Sequence, residues 1–347
     1  MTTVVWAVAN ANVALVKYWG RAPGPGHQPA GTSLSLTLEG LASGARVARR
    51  PPRAGADRVA WAPPGPVAEL GRFVAHARAQ LGIEHPLDVV VTSNFPVAAG
   101  LASSASAYAA LTTALAALAT GRPSADRLAA LARQGSGSAC RSMLGGFVQW
   151  RPGDDVGAVT QVAPPEHWPL AVLVAVTAAG PKRVPSREGM RRTRASSPFF
   201  EAWLAAGEAD LAAVREAVRS RDLPALGAVA ERNALRMHAT ALGADPPLLY
   251  WEAATVSVIR QVWRLREGGV PAFFTVDAGP QVKVLCEPGD AERVGRALAD
   301  VPGVLRVLRS RPGGAPRTVP QPPSWALSGG LSQNLSRDLS WTVGEAV

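Results

Sequence analysis

Cysteine, lysine and aromatic residues are all scarce in this chain of 347 residues, and each scarcity excludes something. Two cysteines, Cys140 and Cys286, cannot build a disulfide framework, and neither has a second Cys or a His at zinc-binding spacing. A reducing, cytoplasmic compartment is the expectation. No stretch of 18 apolar residues runs free of charge or helix breakers, which excludes a membrane-spanning helix. The segment Met1 to Lys17 lacks the basic stretch that precedes the apolar core of a secretory signal. Charged residues are 18% of the chain against 47% hydrophobic ones, so there is ample material for packed cores and intrinsic disorder is excluded. The length is about twice that of an ordinary domain, which points to two domains, and no internal repeat is visible.

The net charge of +10 does not imply nucleic acid. Arginines such as Arg49, Arg50, Arg53, Arg58, Arg72 and Arg78 are scattered, with no lysine-rich tail and no interleaved aromatics. Only three lysines occur: Lys17, Lys182 and Lys283. With Ala, Gly and Pro abundant, this is the signature of a GC-rich coding bias. The surviving lysines therefore mark positions where a compact ammonium is not interchangeable with a planar guanidinium.

Along the chain, the pattern predicts strand, polar turn and strand at Val4 to Val8 and Val13 to Val16, with Asn10 and Asn12 between them. A Gly/Pro-rich loop (20–31) and a period-two strand, Ser33 to Leu38, follow. Helical spacing covers Val67 to Leu81, and a β-branched strand covers Leu87 to Thr92. An Ala-rich helix is predicted from Ser104 to Thr120, and another from Asp126 to Gln134, capped by Ser124 and stopped by Gly135. After a buried-type strand at Leu170 to Val176, Gly180 to Ser197 reads as a polar, basic loop. Helices are predicted at Phe200 to Gly207, Asp210 to Arg221, Leu223 to His238 and Tyr250 to Glu267. Strands at Ala272 to Asp277, Val282 to Cys286 and Val304 to Leu308 enclose a helix at Ala291 to Ala299. This last order suits an antiparallel sheet with helices on one face, an α+β arrangement. The expected domains are 1–180 and 181–312, with a Pro/Gly/Ser-rich, poorly ordered tail at 313–347.

Three segments have the chemistry of anion cradles. Pro96 to Ala105 is a run of small residues between a strand and a helix N-terminus, where bare N–H groups and the macrodipole attract phosphate. It lacks the Gly-Lys-Ser/Thr of the Walker loop, and a tight turn with ordinary serine capping would use the same residues. Gly135 to Ser142 offers three hydroxyls and a guanidinium, and Lys182 to Met190 is a third basic, hydroxyl-bearing stretch. One such stretch is a solvated surface, whereas three suggest one or two polyanionic ligands. Asp277, at the end of an apolar strand, is the candidate base at the bottom of a cleft. An Asp before a turn more often serves as a cap.

Together these segments resemble a known family. Pro96-x-x-x-Gly100-Leu101-Ala102-Ser103-Ser104-Ala105 is similar to the phosphate-binding motif of the superfamily named for galactokinase, homoserine kinase, mevalonate kinase and phosphomevalonate kinase. Asn12 to Gly20, Gly135 to Ser142, Ser186 to Thr193, Asn233 to Thr240 and Phe274 to Lys283 resemble one member family, the diphosphomevalonate decarboxylases, in order and spacing across about residues 5–308. The resemblance implies an α+β, two-domain small-molecule-kinase fold. It has a ribosomal protein S5 domain 2-like N-terminal domain, a ferredoxin-like C-terminal domain and an active site in the cleft between them. It also implies ATP-dependent phosphorylation of the 3-hydroxyl of mevalonate 5-diphosphate. Loss of that phosphate and of CO2 then gives isopentenyl diphosphate, with ATP as co-substrate, Mg2+ as cofactor, and no organic cofactor. The implied catalytic residues are Asp277, Lys17 and Asn12, the last hydrogen-bonding the departing carboxylate. Tyr18, Trp19, Arg21, Ser136, Gly137, Ser138, Arg141, Ser186, Arg187 and Met190 would hold the phosphorylated mevalonate. Pro96, Ala99, Gly100, Leu101, Ala102, Ser103, Ser104 and Ala105 would cradle ATP, with Ser103 and Ser104 at the magnesium. The implied protein is a cytoplasmic homodimer without nucleic-acid or membrane partners.

The chain departs from the pattern in four places. The family's Lys-Tyr-Trp-Gly-Lys-Arg-Asp run ends here in Arg21-Ala22-Pro23, where Arg21 keeps a charge with a different geometry and the acidic residue is gone. Gly31 replaces an Asn or Gln, and the Asn-Gly near the adenine site is missing from Val59 to Pro63. Two alternatives therefore stay open: a decarboxylase of mevalonate 5-phosphate, and a catalytically degenerate anion-binding paralogue.

Overall fold

The computed structural model describes residues 3–24, 27–53, 55–62, 66–95, 103–153, 157–180 and 182–328. The first part of the chain forms β1 (Val4–Val16), β2 (Ser33–Arg49), β3 (Arg58–Ala62), α1 (Val67–Leu81), β4 (Leu87–Ser93), α2 (Ser103–Ala116) and α3 (Ala125–Gly135). A 3₁₀ turn (Gly137–Met143), β5 (Phe147–Trp150) and β6 (Val159–Ala163) follow. Next come β7 (Ala171–Val176), α4 (Ser186–Ser196), α5 (Phe200–Ser220), α6 (Leu223–Leu242), α7 (Ala253–Glu267), β8 (Phe273–Val276) and β9 (Val282–Cys286). The described chain ends with α8 (Ala291–Ala299), β10 (Arg306–Ser310), β11 (Arg317–Val319) and α9 (Ser324–Ser328). Among the described residues no helix is long and apolar enough to cross a membrane.

Two sheets result. The first has the order β11-β1-β2-β4-β3, with β5 on β2 and β6 on β5, and its β3–β4 pair is parallel. The second, β10-β7-β9-β8, is antiparallel throughout. Helix α1 follows its apolar spacing: Leu70, Phe73, Val74, Ala77 and Leu81 are buried. Gly82, at φ +65°, closes it by donating its N–H to the Arg78 carbonyl. Helix α2 is buried almost all round, so its alanines let it lie close against the first sheet.

Several expectations are corrected. Asn10 and Asn12 do not form a turn; β1 runs through them, and register shifts at Asn10/Ala11 and Ala14/Val16 absorb the break in the pattern. The basic stretch Gly180 to Ser197 contains a helix, α4. Its mean polarity hides a buried stripe of Gly189, Met190 and Thr193, and Glu188 pairs with Arg191 and Arg192 one turn on. Helix α5 is continuous where two helices were expected, with Gly207 tolerated inside it. The second sheet is covered on both faces. Leu173 and Val284 pack with α7 and α8, while Val172, Val174 and Leu285 share a core with α5, α6 and Leu15 and Leu36 of the first sheet.

A boundary at residue 180 would separate β7 from the sheet that it completes, which leads us to propose a boundary between β6 and β7 instead. Nor is 313–328 a loose tail. β11 pairs with β1, and Trp325 packs over Gly44 of β2, where a Cβ would meet the indole at 3.2 Å.

Candidate active site

A cavity of about 1210 Å³ is lined from β1, α2, the 3₁₀ turn, α4, α6 and the segment after β8. That is more room than a single drug-sized ligand takes, and it suits two ligands side by side. Lys17 and Lys182 lie at its floor, and Lys283 reaches Asp277 from beneath it. Lys17, just past β1, donates through Nζ to Asp277 Oδ1 and to the Ala14 carbonyl, both at 2.8 Å. Lys283 Nζ lies 3.2 Å from the other oxygen, Asp277 Oδ2. Lys182 Nζ donates to the Ala278 carbonyl at 2.6 Å and to the Ser186 hydroxyl, and sits 5.5 Å from the Tyr250 ring centroid.

Both lysine side chains on Asp277 are 2% exposed, whereas the Asp277 side chain keeps 22% exposure and lines the cavity. Burial alone would push the Asp277 carboxyl up, but Lys17 and Lys283 hold it well below the usual carboxylate range. Burial pulls Lys17 down to about 8 against the opposing pull of Asp277, and it pulls Lys182 down to about 8 as well. Burial, aided by Lys17, pushes His238 down to about 3. It is thus neutral near pH 7, and with the Val276 carbonyl 3.3 Å from Nε2, that nitrogen carries the proton.

Arg141 is 2% exposed, and among the described residues no carboxylate lies within ion-pair distance. Its fork is held by hydroxyls instead: Nε donates to Ser35 Oγ at 3.0 Å and Nη1 to Ser33 Oγ at 2.7 Å. The two-residue period of β2 puts both serines on one face. Nη2 reaches Asn12 Oδ1 at 3.4 Å, while Asn12 Nδ2 donates to Ser142 Oγ at 2.8 Å and to the Ser138 carbonyl at 3.3 Å. Both donors of the Asn12 amide are thereby engaged, so Asn12 orients Arg141 and has no free donor for a departing carboxylate. Three buried cations, Lys17, Lys283 and Arg141, with the half-buried Lys182, facing one carboxylate make the cavity floor suited to anions.

The remaining residues singled out from the sequence fall as follows. Ser136, Gly137 and Ser138 line the cavity, and the 3₁₀ turn that carries them is buried rather than slack. At Gly137 a Cβ would stand 2.5 Å from Tyr18 Oη, so only glycine admits the Tyr18 ring there. Tyr18 Oη and Arg21 Nε are buried atoms, and the Tyr18 and Arg21 side chains interact with each other where both line the cavity. Trp19 donates through Nε1 to Thr193 Oγ1 at 3.1 Å and packs beside Tyr250 and Met190, so it anchors α4 while lining the cavity. Arg187 lies at the mouth, where it meets Glu69 of α1 at 3.2 Å. Ser103 and Ser104 line the cavity at the start of α2, and Ser104 Oγ is 3.0 Å from Ser136 Oγ. Ala105 is fully buried and takes no part in the lining. Pro96, Ala99, Gly100, Leu101 and Ala102 lie outside the described residues.

Residues 9–162 match the family description "Diphosphomevalonate decarboxylase-like N-terminal domain", and residues 172–309 match "Mevalonate 5-diphosphate decarboxylase C-terminal domain". A diphosphomevalonate decarboxylase of Gibberella zeae is 34% identical over 309 residues, 82% of this chain and 81% of that protein. The chain belongs to the diphosphomevalonate decarboxylase family. The human diphosphomevalonate decarboxylase is 33% identical over 311 residues, 81% of this chain and 76% of its own. Among solved structures, the mevalonate diphosphate decarboxylase of Staphylococcus aureus superposes with a TM-score of 0.85 at 34% identity, over 92% of this chain and 98% of that one. A protein designated MDDEF, in complex with MVAPP, AMPPCP and magnesium, superposes with a TM-score of 0.84 at 36% identity, over 92% of this chain and 99% of that one.

Against this family, the sequence reading left several residues without a role. Lys182 and Lys283 stand out by the scarcity of lysine and lie in the stretches Lys182 to Met190 and Phe274 to Lys283, but neither has a role of its own from sequence. Asn233 accepts the Lys17 backbone N–H at 2.8 Å and donates to Asp210 Oδ2 at 2.8 Å, which fixes the end of β1 to α6. Its signal was membership of the Asn233 to Thr240 segment. Trp61, Tyr108 and Glu69 line the far end of the cavity, where Trp61 comes from the very segment that lacks the family's Asn-Gly. Only the fold brings these three together.

Proposed function

We propose that this chain catalyses the ATP-dependent decarboxylation of mevalonate 5-diphosphate to isopentenyl diphosphate, with ADP, phosphate and CO2 as the other products. The observation that carries the reading is Asp277: an ionised carboxylate at the floor of a two-ligand cavity, with an ammonium on each oxygen and the buried Arg141 nearby. Asp277 orients the 3-hydroxyl. Its low proton affinity suits an acceptor that takes the proton only as the oxygen bonds to phosphorus, as a loose phosphoryl-transfer transition state requires. Lys17 and Lys182 set positive charge beside that phosphoryl group. Arg141, held by Ser33, Ser35 and Asn12, is the fork for the substrate's anionic end, with Ser138 and Tyr18 as further partners. Arg21, beside Tyr18 in the cavity lining, takes the terminal phosphate. When the tertiary phosphate leaves, the electron pair of the breaking bond to the carboxylate fills the cationic carbon, and an alkene and CO2 result.

The first turn of α2 offers backbone N–H groups to the ATP phosphates. Trp61 and Tyr108 form an aromatic end for the base. Magnesium would be held by Ser103 and Ser104, and it supplies neutralisation of triphosphate charge. Two cavity-lining hydroxyls fit an ion that takes hard oxygen ligands and shares them with phosphates and water.

The deciding experiment is a mass-spectrometric product assay with ATP, magnesium and either mevalonate 5-diphosphate or the 5-monophosphate. Isopentenyl diphosphate from the first supports the reading, and turnover of the monophosphate alone overturns it. The family resemblance also supports a cytoplasmic homodimer, which a light-scattering mass would test.

A further inference from the structure

We infer that Lys283 is a positioning residue, the second arm of a two-lysine clamp that fixes the Asp277 carboxylate and keeps it ionised. The inference rests on the role given to Asp277 above. Lys283 projects from β9, where it faces Thr275 of β8 and Val174 of β7 in register. Its side chain is 2% exposed and takes no part in the cavity lining, so it reaches substrate only through Asp277. The two lysines divide the carboxylate between them, Lys17 on Oδ1 and Lys283 on Oδ2. Each ammonium is also tied to the backbone, Lys17 to the Ala14 carbonyl and Lys283 to that of Gln281 at 3.4 Å. The clamp therefore spans both sheets, with one arm past β1 and the other on β9.

A lysine that touched neither ligand nor solvent would be costly to keep charged in so dry a place without a task of this kind. The balance at Asp277 explains the task. Burial favours the protonated acid, and two ammoniums oppose it. The other groups that face Asp277 are Lys182 before α4, Arg141 on the 3₁₀ turn and His238 on α6. Lys182 and Arg141 are cationic and His238 is neutral, so none of these three groups competes with Asp277 for the lysines. With Lys283 removed, burial is opposed mainly by Lys17, and the carboxyl moves up toward or above the ordinary range.

The test is Lys283→Met, which keeps an unbranched chain of similar length in the buried slot. Its kcat should fall about tenfold or more, with the KM values for both substrates held within about threefold. Its pH–kcat profile should gain an acid limb that the wild type lacks over the pH range in which the fold holds. A merely structural lysine would lower thermal stability without moving that limb. A carbon-13 titration of the Asp277 carboxyl, assigned by its loss in Asp277→Asn, reads the clamp without turnover. In the wild type it should stay ionised to the lowest pH at which the fold holds. An unchanged pH profile in Lys283→Met overturns the inference. So does a wild-type Asp277 that titrates in the ordinary carboxylate range, and this second result decides the matter if the variant does not fold. If the wild type fails to turn over mevalonate 5-diphosphate, the proposed function fails, while the titration still reports on the clamp.

Discussion

Replacing Asp277 by Asn keeps the shape of the side chain and removes its charge. In the wild type the two oxygens face ammoniums at 2.8 and 3.2 Å. The amide can accept from one lysine but turns an NH2 toward the other, so one buried ammonium keeps only its backbone carbonyl and both lose their counter-ion. Loss of a positioned base or orienting group costs about 10²–10⁴ in rate. At about 1.4 kcal/mol per decade, this is roughly 3–5.5 kcal/mol of transition-state stabilisation. Breaking a buried ion pair by removing one partner costs about 3–5 kcal/mol of folding stability. Lys17 limits that penalty, because its folded-state pKa is already about 8 and falls further without Asp277. A lysine whose folded pKa lies below its unfolded value leaves the unfolded state with more bound protons in that window, so stability rises with pH there. The variant enters the window at lower pH than the wild type. The difference in Tm between the two should therefore shrink as pH rises toward 8 and then stay level. Turnover is read by ADP release and product mass spectrometry, retention of binding by calorimetry with nucleotide and substrate, and stability by thermal melts across pH. A variant that retains more than about a tenth of the wild-type kcat would refute the assignment of Asp277.

The remaining expectations concern the cations and the phosphate end. Arg141→Gln should raise the KM for the mevalonate substrate by about one to two decades, since a charge-assisted hydrogen bond is worth roughly 1.5–3 kcal/mol, while leaving the KM for ATP near wild type. Ser104→Ala should do the reverse, and equal effects of both changes on both substrates in steady-state kinetics would show that the two ends of the cavity have been interchanged. Arg21→Ala should weaken the diphosphate far more than the monophosphate, with Arg21→Lys milder; calorimetric titration of both substrates checks this, and indifference of the diphosphate to Arg21→Ala rules it out. Burial sets Lys17 and Lys182 near 8, so kcat/KM should decline as pH rises through about 8, because these lysines lose the protons that face the phosphates. A profile flat to pH 10 would mean that neither ammonium matters.

Local chemistry carried much of this protein in the order of its residues. Helix α1 and strand β9 have the bounds that spacing alone predicts, because amphipathic period and terminal glycine act within a few residues. Ser124 caps α3 as expected, accepting from the Arg127 N–H at 3.3 Å. Gly135 to Ser142 and Lys182 to Met190 were conspicuous for the same reason, since hydroxyls, basic and small residues cluster within each stretch, and the structure puts Ser136, Ser138, Arg141, Ser186 and Asp277 in the lining of one cavity. The coding bias even left the three lysines conspicuous. What sequence could not settle was everything that depends on which distant segments meet. Helix α4 is stable because Trp19 and Tyr250 cover its narrow apolar stripe, and neither is near it in sequence. Residues 313–328 are ordered by β1 and β2, some three hundred residues away. The partners of Lys17 and Lys283 follow from the packing of the end of β1, in the first sheet, against β8 and β9 of the second, which brings residues 17 and 277 within hydrogen-bond reach. Burial then sets their charges. Desolvation is a property of the packed interior, so the same lysine and aspartate types that titrate ordinarily in a free chain become a clamped carboxylate and two lysines, Lys17 and Lys182, poised near 8 only once the fold has excluded water around them.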